Sequence, residues 1–261
     1  MQEKNLKIIS WNVNGIRACA RKGFLDYLKQ EEPDIICLQE IKANEDDLEI
    51  NLAEPSGYFS IWHSAEKKGY SGVAILTKIK PKLVLRGMGI EKYDREGRVI
   101  IAEFDQFVLL NVYFPNGQKN EERLNYKLEF YKDFFDYCND LISQGKNLII
   151  AGDYNIAHKE IDLANPKENE NYSGFLPVER AWIDRIIDFG YVDTFREFNQ
   201  DPGQYTWWTY RFGARRRNIG WRIDYFFINK EFISCLKSAF IQPEIQGSDH
   251  CPLGVILNLT S

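Results

Sequence analysis

Short apolar runs of six to eight residues, rich in β-branched side chains, recur along the 261 residues of this chain. Runs of this length and composition are typical of β-strands, and several of them lack any polar alternation, which indicates burial on both faces. The runs are Leu6–Trp11, Asp34–Gln39, Ser71–Thr77, Val99–Phe104, Phe107–Phe114, Asn147–Gly152, Arg222–Ile228 and Leu253–Leu259.

Helical periodicity separates some of these runs. Residues 21–33 place Phe24, Leu25 and Leu28 on one face, and residues 177–190 begin with Pro177 and end at Gly190. Residues 121–145 predict the longest helix, which stops at Gly145. Its predicted apolar face consists of Leu124, Leu128, Tyr131, Phe135, Cys138 and Ile142. Strands interspersed with helices predict an α/β sandwich of two sheets with helices outside.

Neither a linker nor an internal repeat divides the chain, so we expect a single domain over residues 1–261. The five cysteines are odd in number and contain no C-x-x-C pair, which argues against a disulfide framework and against a zinc cage. No signal-peptide stretch or membrane-length apolar window is present in the sequence. The default expectation is therefore a cytoplasmic protein without a membrane partner.

Polar side chains follow or precede the predicted strands at six points. They are Asn12 and Asn14, Glu40, Tyr113 with Asn116, Asp153 and Asn155, Asp224, and Asp249 with His250. Each alone is commonly a turn residue, a helix cap or a satisfied core histidine. As a set at strand ends, they predict a cleft lined by carboxylates, amides, one phenol and one imidazole.

This set of side chains points to metal-assisted phosphodiester hydrolysis. Carboxylate and amide oxygens suit a hard cation such as magnesium or manganese. The ion neutralises phosphate charge, a carboxylate orients or deprotonates water, and an acid or cation helps the leaving oxygen. A histidine paired with a carboxylate keeps its proton near neutral pH, because the pairing raises its pKa.

Residues 205–227 interleave aromatic side chains with arginines. Trp207, Tyr210 and Trp221 stand among Arg211 and Arg215, a combination that stacks on bases or sugars and binds phosphates. The plain alternative is an aromatic core strand followed by a solvated basic loop. Because the net charge of the whole chain is −5, this local concentration of positive charge favours a polyanionic partner such as DNA.

Seven segments, in order, resemble the exonuclease III class of AP endonucleases, which share the deoxyribonuclease I fold. They are SWNVNGIRA, LQEIK, KKGYSGVAI, VYFPNG, GDYNIAHKEIDL, WWTYRFGARRRNIGWRIDYF and GSDHCPL, and the resemblance extends from Lys7 to Leu257. It implies a four-layered α/β sandwich of two packed mixed sheets flanked by helices, with the site at one edge. It also implies magnesium-dependent incision of double-stranded DNA 5′ to an abasic site, leaving a 3′-hydroxyl and a 5′-deoxyribose phosphate.

The resemblance implies roles for the residues of the hydrolytic centre. His250 matches the catalytic histidine, and Asp224 matches the carboxylate that orients it. Asp153 matches the group that orients or deprotonates the attacking water, helped by Asn155. A Tyr113 phenolate is the alternative proton acceptor, and the sequence leaves that choice open.

The metal and DNA contacts implied by the resemblance come from the remaining motifs. Glu40 matches the main metal ligand, with Asn12 and Asp249 in or near the metal and water network, for magnesium or in its place manganese. Tyr113 and Asn116 match residues that hold the phosphate. Trp207 and Trp221 match an aromatic pocket for a flipped-out abasic sugar, which has no base to unpair.

Three positions limit what the resemblance implies. Asn14 stands where some members of the family have a carboxylate, which puts a second metal position in doubt. Lys119 and Arg211 match positions that wedge into the helix in some relatives, so the range of damage, deoxyuridine included, stays open. The balance between AP endonuclease, 3′→5′ exonuclease and 3′-phosphodiesterase activity also stays open. We expect a monomer that acts on abasic or otherwise damaged duplex DNA.

Two other functions remain as alternatives. A phosphoinositide phosphatase or sphingomyelinase of the same fold would share Glu40, the Asp-x-Asn after a core strand and the Ser-Asp-His ending, but would not need the aromatic–arginine stretch. A catalytically silent DNA-binding module would have lost Asp153 or His250, and both are present.

Overall fold

Two sheets of six strands each lie at the centre of the protein, in a computed structural model that describes residues 4–259. The first sheet contains β1 (Lys4–Asn12), β2 (Ile35–Gln39), β3 (Phe59–His63), β4 (Val73–Thr77), β11 (Leu236–Ile241) and β12 (Leu253–Leu259). The second contains β5 (Leu83–Arg86), β6 (Val99–Glu103), β7 (Val108–Tyr113), β8 (Leu148–Asp153), β9 (Tyr191–Asp193) and β10 (Asp224–Asn229).

The strand order is β11-β12-β1-β2-β4-β3 in the first sheet and β5-β6-β7-β8-β10-β9 in the second. Both sheets are mixed, because β1 runs parallel to β2 and β7 runs parallel to β8, while β12 and β10 are antiparallel to their neighbours. The two sheets pack face to face through a shared apolar layer that includes Ile8, Ile35, Leu109, Ile149 and Val255.

Helices cover the outer faces. They are α1 (Ile16–Ala20), α2 (Phe24–Glu31), α3 (Ile50–Ala53), α4 (Glu91–Asp94), α5 (Glu121–Ser143), α6 (Pro166–Asn169), α7 (Pro177–Asp188) and α8 (Thr194–Phe198). Alternate residues of a central strand serve two cores: Ile8 faces the other sheet, whereas Ile9 packs with Phe24 and Leu28 of α2. This explains the continuous apolar runs, and the predicted four-layered α/β sandwich is confirmed.

The longest helix buries three of its six predicted apolar residues, Tyr131, Phe135 and Cys138, and its most buried positions include two further phenylalanines and a lysine. Its buried residues are Lys127, Phe130, Tyr131, Phe134, Phe135 and Cys138, whereas the predicted Leu124, Leu128 and Ile142 are half-buried. The aromatic rings carry more apolar area than the leucines, which favours the face that contains them. Lys127 lies on the same buried face, which places its ammonium group in the interior.

Four of the strands were missed by the sequence pattern: β3, β5, β9 and β11. All four lie at the sheet edges, and each is short or incompletely buried. Such strands carry no long apolar run, and their pairing depends on distant partners. None of the helices between residues 4 and 259 has the length and apolar character needed to cross a membrane.

The strand directions bring the polar strand ends to one edge of the sandwich. Asn12 and Asp153 end β1 and β8, and Tyr113 pairs with Asp153 across the parallel β7–β8 ladder. Asp224 begins β10 and pairs with Asp153 across the antiparallel ladder. Gly152 allows this close packing, because a Cβ there would lie 1.8 Å from the carbonyl oxygen of Val112.

Candidate active site

Asp153, Asp224 and His250 form a buried cluster at this edge. The Nδ1 atom of His250 lies 2.8 Å from Oδ2 of Asp224, and its Nε2 atom lies 3.9 Å from Oδ2 of Asp153. All three residues are at most 4% exposed. The Asp224 contact orients the imidazole so that its other nitrogen faces Asp153.

A threonine that the sequence analysis did not single out supports this cluster. The Thr206 hydroxyl donates to Oδ2 of Asp224 at 2.6 Å and accepts from the backbone amides of Ile223 and Asp224 at 3.1 and 3.2 Å. Thr206 is fully buried, so its hydroxyl has no competing water. The only indication in the sequence of a role for Thr206 is its position directly before Trp207.

The surroundings move the pKa values of Asp153 and His250 in the same direction. Burial and the neighbouring Asp224 carboxylate raise the pKa of Asp153 to about 7, against the opposing charge of His250. Burial by itself would lower the pKa of His250, but the Asp224 carboxylate and its hydrogen bond raise it to about 10. Near neutral pH the site therefore combines an imidazolium with a carboxyl group that is close to its midpoint.

The other two histidines lie elsewhere. His158 contacts Asp184 at 2.8 Å through Nε2, and Nδ1 of His63 lies 2.9 Å from the carbonyl oxygen of Val99. Neither lines the cavity that contains His250. The His158–Asp184 pair has the same contact distance as the pair in the cluster, so it offers a matched comparison outside the site.

Asn155 and Asn116 extend the site from Asp153. The backbone amide of Asn155 donates to Oδ1 of Asp153 at 2.8 Å. The side-chain Nδ2 of Asn155 donates to the carbonyl of Phe114 at 3.0 Å. The exposed Asn116 donates to Oδ1 of Asn155 at 3.1 Å. Asn155 adopts a left-handed backbone conformation, with φ 52, which turns the chain sharply after β8.

Tyr113 lines the same cavity and is a phenol across the physiological range. Burial, together with the carboxylates of Glu40 and Asp153, raises the pKa of Tyr113 well above its usual value. The hydroxyl is therefore available as a hydrogen-bond donor. Arg98 packs its guanidinium 4.9 Å from the centre of the Tyr113 ring and donates to the Tyr113 carbonyl at 2.9 Å.

Glu40 contributes a second carboxylate next to Asp153. It follows β2 with a left-handed φ of 54, and its Oε1 lies 2.9 Å from Nζ of Lys42. The side-chain amide of Asn12 donates to Glu40 at 3.2 Å and to Asp153 at 2.8 Å. Two carboxylates joined by one amide make an oxygen-rich group that favours a cation, as the ion pair with Lys42 shows. Lys42 was not among the predicted site residues, although it lies in the LQEIK segment.

Asp249 lies on the opposite side of Asn14 from Lys42. The Asn14 side chain donates to Oδ1 of Asp249 at 2.8 Å and accepts from Lys42 at 2.5 Å. The indole of Trp207 donates to Oδ2 of Asp249 at 3.1 Å. Although burial acts to raise it, the His250 charge and these hydrogen bonds lower the pKa of Asp249.

The clustered residues open into a cavity of about 810 Å³. Its apolar side is formed by Trp207, Trp221 and Ile223, and the two indole rings meet edge to face with their centres 6.3 Å apart. Gly174, with φ 100, lets the chain pass under Trp221, since a Cβ there would lie 3.0 Å from the ring. The polar lining also includes Asn165, Asn169 and Ser173, which the sequence did not indicate.

The predicted DNA-contact residues divide into two groups. Lys119, Tyr210 and Arg211 are exposed, and Nζ of Lys22 lies 5.6 Å from the centre of the Tyr210 ring. Arg215 instead turns inward. Its guanidinium packs on Trp208 and donates to the carbonyls of Pro243, Ile245 and Ser248 at 3.0, 2.5 and 3.0 Å. The structure therefore gives Arg215 a protein contact rather than a free surface charge.

Comparison with known proteins gives consistent matches over nearly the whole chain. Residues 9–250 match the model of the endonuclease/exonuclease/phosphatase family. The chain is 46% identical to an exodeoxyribonuclease of Bacillus subtilis, covering 97% of this chain and 100% of the relative. It is also 42% identical to a DNA-(apurinic or apyrimidinic site) endonuclease of Dictyostelium discoideum, and the match covers 99% of this chain and 72% of the relative. The structure of a 3′-5′ exonuclease from Neisseria meningitidis superposes with a TM-score of 0.90, at 28% identity over 97% of this chain and 100% of that one.

Proposed function

Because the chain belongs to the endonuclease/exonuclease/phosphatase family, we propose that it is a DNA repair hydrolase that incises duplex DNA 5′ to abasic sites. The products would be a 3′-hydroxyl and a 5′-deoxyribose phosphate, and the same centre would remove nucleotides or blocking groups from 3′ ends. The observation that carries the proposal is the juxtaposition of the Asp153–His250–Asp224 cluster with the Trp207–Trp221 wall in one cavity.

Asp153 is the proposed acceptor of the proton from the attacking water. Its carboxylate is oriented by Asn12 and by the backbone of Asn155, and its pKa of about 7 suits a general base at neutral pH. A Tyr113 phenolate is disfavoured in this role, since the pKa of that phenol is raised well above its usual value. Tyr113 would instead donate a hydrogen bond to the phosphate, together with Asn116.

His250 is the proposed cationic group at the phosphate. With a pKa of about 10 it carries a proton at neutral pH, and Nε2 is free of the Asp224 contact that Nδ1 makes. A fixed positive donor in a buried site stabilises the negative charge that develops on the phosphoryl oxygens. Asp224 and Thr206 hold the ring in that orientation.

The carboxylate of Glu40 is the proposed principal ligand of a divalent ion, with Asn12 and Asp249 close to it. The oxygen donors favour magnesium, which manganese could replace, and when bound the ion would neutralise phosphate charge. Asp153, Asp224 and His250 also place ligand atoms within 4.8 Å of one another. However, a protonated His250 has no free nitrogen lone pair for a metal ion and holds Asp224 through Nδ1, so we assign the ion to the side of Glu40.

The aromatic wall is the proposed receptor for the unpaired abasic sugar. A deoxyribose without a base fits beside two edge-to-face indoles and leaves its 5′ phosphodiester towards Asp153 and His250. Extrusion costs least where no base pair must be broken, which favours abasic sites. The amides of Asn165 and Asn169, which also line the cavity, could hydrogen-bond to a base, so the test below includes a deoxyuridine duplex.

Incision of defined duplexes tests the proposal. The protein is incubated with end-labelled duplexes that contain one abasic site, one deoxyuridine or neither, with magnesium and with a chelator. We expect chelator-sensitive cutting directly 5′ to the abasic site. Cutting of the deoxyuridine duplex as well would extend the substrate range. If no duplex is cut, the proposal fails, and phosphorylated inositols and sphingomyelin become the substrates to test.

A further inference from the structure

The turn that carries Asn155 is held by three buried side-chain donors, one for each consecutive carbonyl. The Tyr131 hydroxyl donates to the carbonyl of Tyr154 at 2.5 Å, and the ammonium of Lys127 donates to that of Asn155 at 2.8 Å. The Tyr225 hydroxyl donates to the carbonyl of Ile156 at 2.8 Å. Lys127 and Tyr131 are one helical turn apart on α5. The sharp turn after Asp153 is therefore fixed from beneath.

Lys127 also connects this turn to a wall of the cavity. Its ammonium contacts Oε1 of Glu179, on α7, at 2.5 Å, and both side chains are fully buried. Glu179 in turn accepts from the Ser173 hydroxyl at 2.9 Å and from the backbone amides of Gly174 and Leu176 at 2.5 and 3.2 Å. Ser173 and Gly174 line the cavity, and Gly174 lies against Trp221.

A fully buried ion pair is a poor means of stabilising a fold. Removing two charges from water costs free energy that their attraction seldom exceeds, and well-packed apolar pairs of similar volume are often equally stable or more so. The Lys127–Glu179 pair nevertheless makes every one of its hydrogen bonds to the Asn155 turn or to the 173–176 segment. Its placement points to a role in geometry rather than in stability.

We propose that Lys127 and Glu179 are positioning residues, which hold the Asn155 turn against the neighbouring Ser173–Gly174 segment on one side of the cavity. The inference rests on the proposed hydrolytic role of the Asp153–Asn155 segment. Neither residue touches the substrate. Hydrolysis requires the reacting groups to be held to within a fraction of an ångström, so a small displacement of Asn155 and of the Asp153 oxygen that it contacts lowers the rate steeply.

The decisive variant replaces both charges at once, Lys127→Met with Glu179→Met. Because the apolar pair fills a similar volume and leaves no unpaired buried charge, we expect the variant to fold, with an unfolding transition lowered only by the lost partners of the Gly174 and Leu176 amides and the Asn155 carbonyl. We expect kcat on an abasic duplex to fall about 100-fold, with KM changed less than about threefold. A purely structural ion pair would lower kcat only to the extent that the variant fails to fold.

The matched control is Tyr191→Phe, which removes the 3.1 Å bond from Tyr191 to Asn139 at the other end of α5. We expect its kcat to match the wild-type value. If the double variant does not fold, Glu179→Gln decides, because it keeps the shape but loses an acceptor for the Gly174 and Leu176 amides. We expect that variant to lower kcat about tenfold in its fully folded state, and to unfold more easily than wild type because Lys127 keeps a buried charge without its partner.

A folded double variant with kcat within about threefold of wild type overturns the inference, as does a change confined to KM. A wild-type kcat for the Glu179→Gln variant would likewise overturn the inference. The wild-type protein is assayed in parallel on abasic duplexes and on blunt duplexes with 3′-terminal labels. If it degrades only the 3′ ends, incision at abasic sites is refuted, and kcat on the 3′ ends still tests the positioning role.

Discussion

Asp153 and His250 show how neighbouring groups in one buried cluster acquire different tasks. Asp224 acts on both: its negative charge raises the pKa of Asp153 to about 7, and its hydrogen bond raises the pKa of His250 to about 10. One group is then able to accept a proton near neutral pH while the other keeps its proton. Such divergent protonation behaviour is typical of acid–base catalytic centres.

Asp153→Asn and His250→Ala should each lower kcat for incision by about 10²- to 10⁴-fold, because each removes a group that is proposed to act on the water or on the phosphate. The measurement is single-turnover cutting of an abasic duplex. His158→Ala serves as the control, since it breaks the 2.8 Å contact with Asp184 outside the cavity and should leave the rate nearly unchanged. Near wild-type cutting by either site variant would contradict the assigned roles.

The pH profile of kcat/KM should be bell-shaped. The rate should rise as pH increases through about 7, where Asp153 loses its proton, and should fall above about 10, where His250 loses its own. Because Asp153 and His250 interact, the two limbs of the pH profile report apparent pKa values of the pair rather than of either residue alone. A tetrahydrofuran analogue of the abasic site avoids alkaline strand breakage. A profile without an acid limb would argue against Asp153 as the base.

At the scale of the element, the aromatic–arginine stretch splits into an inner and an outer part. Trp208 and Arg222 are buried, and Arg222 pairs with Asp162 and Asp193 inside the fold. Arg215 binds the carbonyls of residues 243–248, the segment that leads into Asp249 and His250. A run of positive charge in the sequence is thus partly a means of holding the loop that carries the histidine.

Arg215→Met should lower the free energy of unfolding by about 1–3 kcal/mol, because three backbone carbonyls lose a charged donor. It should also lower kcat/KM, since the segment before His250 loses its anchor. Arg216→Met, at a neighbouring exposed position, should change the free energy of unfolding by no more than about 0.5 kcal/mol. Denaturant titration and steady-state kinetics measure both. Unchanged stability with weaker DNA binding would make Arg215 a phosphate contact after all.

At the scale of the whole molecule, an acidic chain is proposed to bind a polyanion. The net charge of −5 repels DNA at long range, and the carboxylates of Glu40, Asp153 and Asp249 add negative charge at the site. DNA binding is therefore expected to depend on local exposed basic residues such as Lys119, Arg211, Arg216 and Arg217, and on a divalent ion at the carboxylates.

DNA affinity should fall as salt rises, with a slope of log K against log salt of about −0.9 for each phosphate neutralised. The Asp153→Asn variant bound to an uncut abasic duplex allows the measurement. Adding Arg216→Ala and Arg217→Ala should reduce the slope by about 1–2, whereas Lys132→Ala on α5, which pairs with Asp136, should not change it. A slope near zero would exclude the basic loop as the DNA surface.

Local patterns were enough to predict an α/β sandwich with polar side chains gathered at strand ends, whereas the placement of the site at one edge was implied by the family resemblance. Apolar period, strand length and terminal glycines or prolines are properties of neighbouring residues, so the runs at Leu6–Trp11 and Leu253–Leu259 predicted β1 and β12 closely. The ordered motifs likewise predicted the family. Local patterns did not predict the short or half-exposed strands β3, β5, β9 and β11, because backbone pairing rather than their own apolar pattern stabilises them.

Tertiary contacts alone decided which polar side chains turn inward. Lys127 pairs with a residue 52 positions away, Thr206 with one 18 away and Arg215 with carbonyls about 30 away. The pKa values of Asp153 and His250 likewise depend on burial and on Asp224, which no local window contains. Sequence period records which positions are apolar, whereas the dielectric surroundings and partners of a charged group exist only once distant segments have packed together.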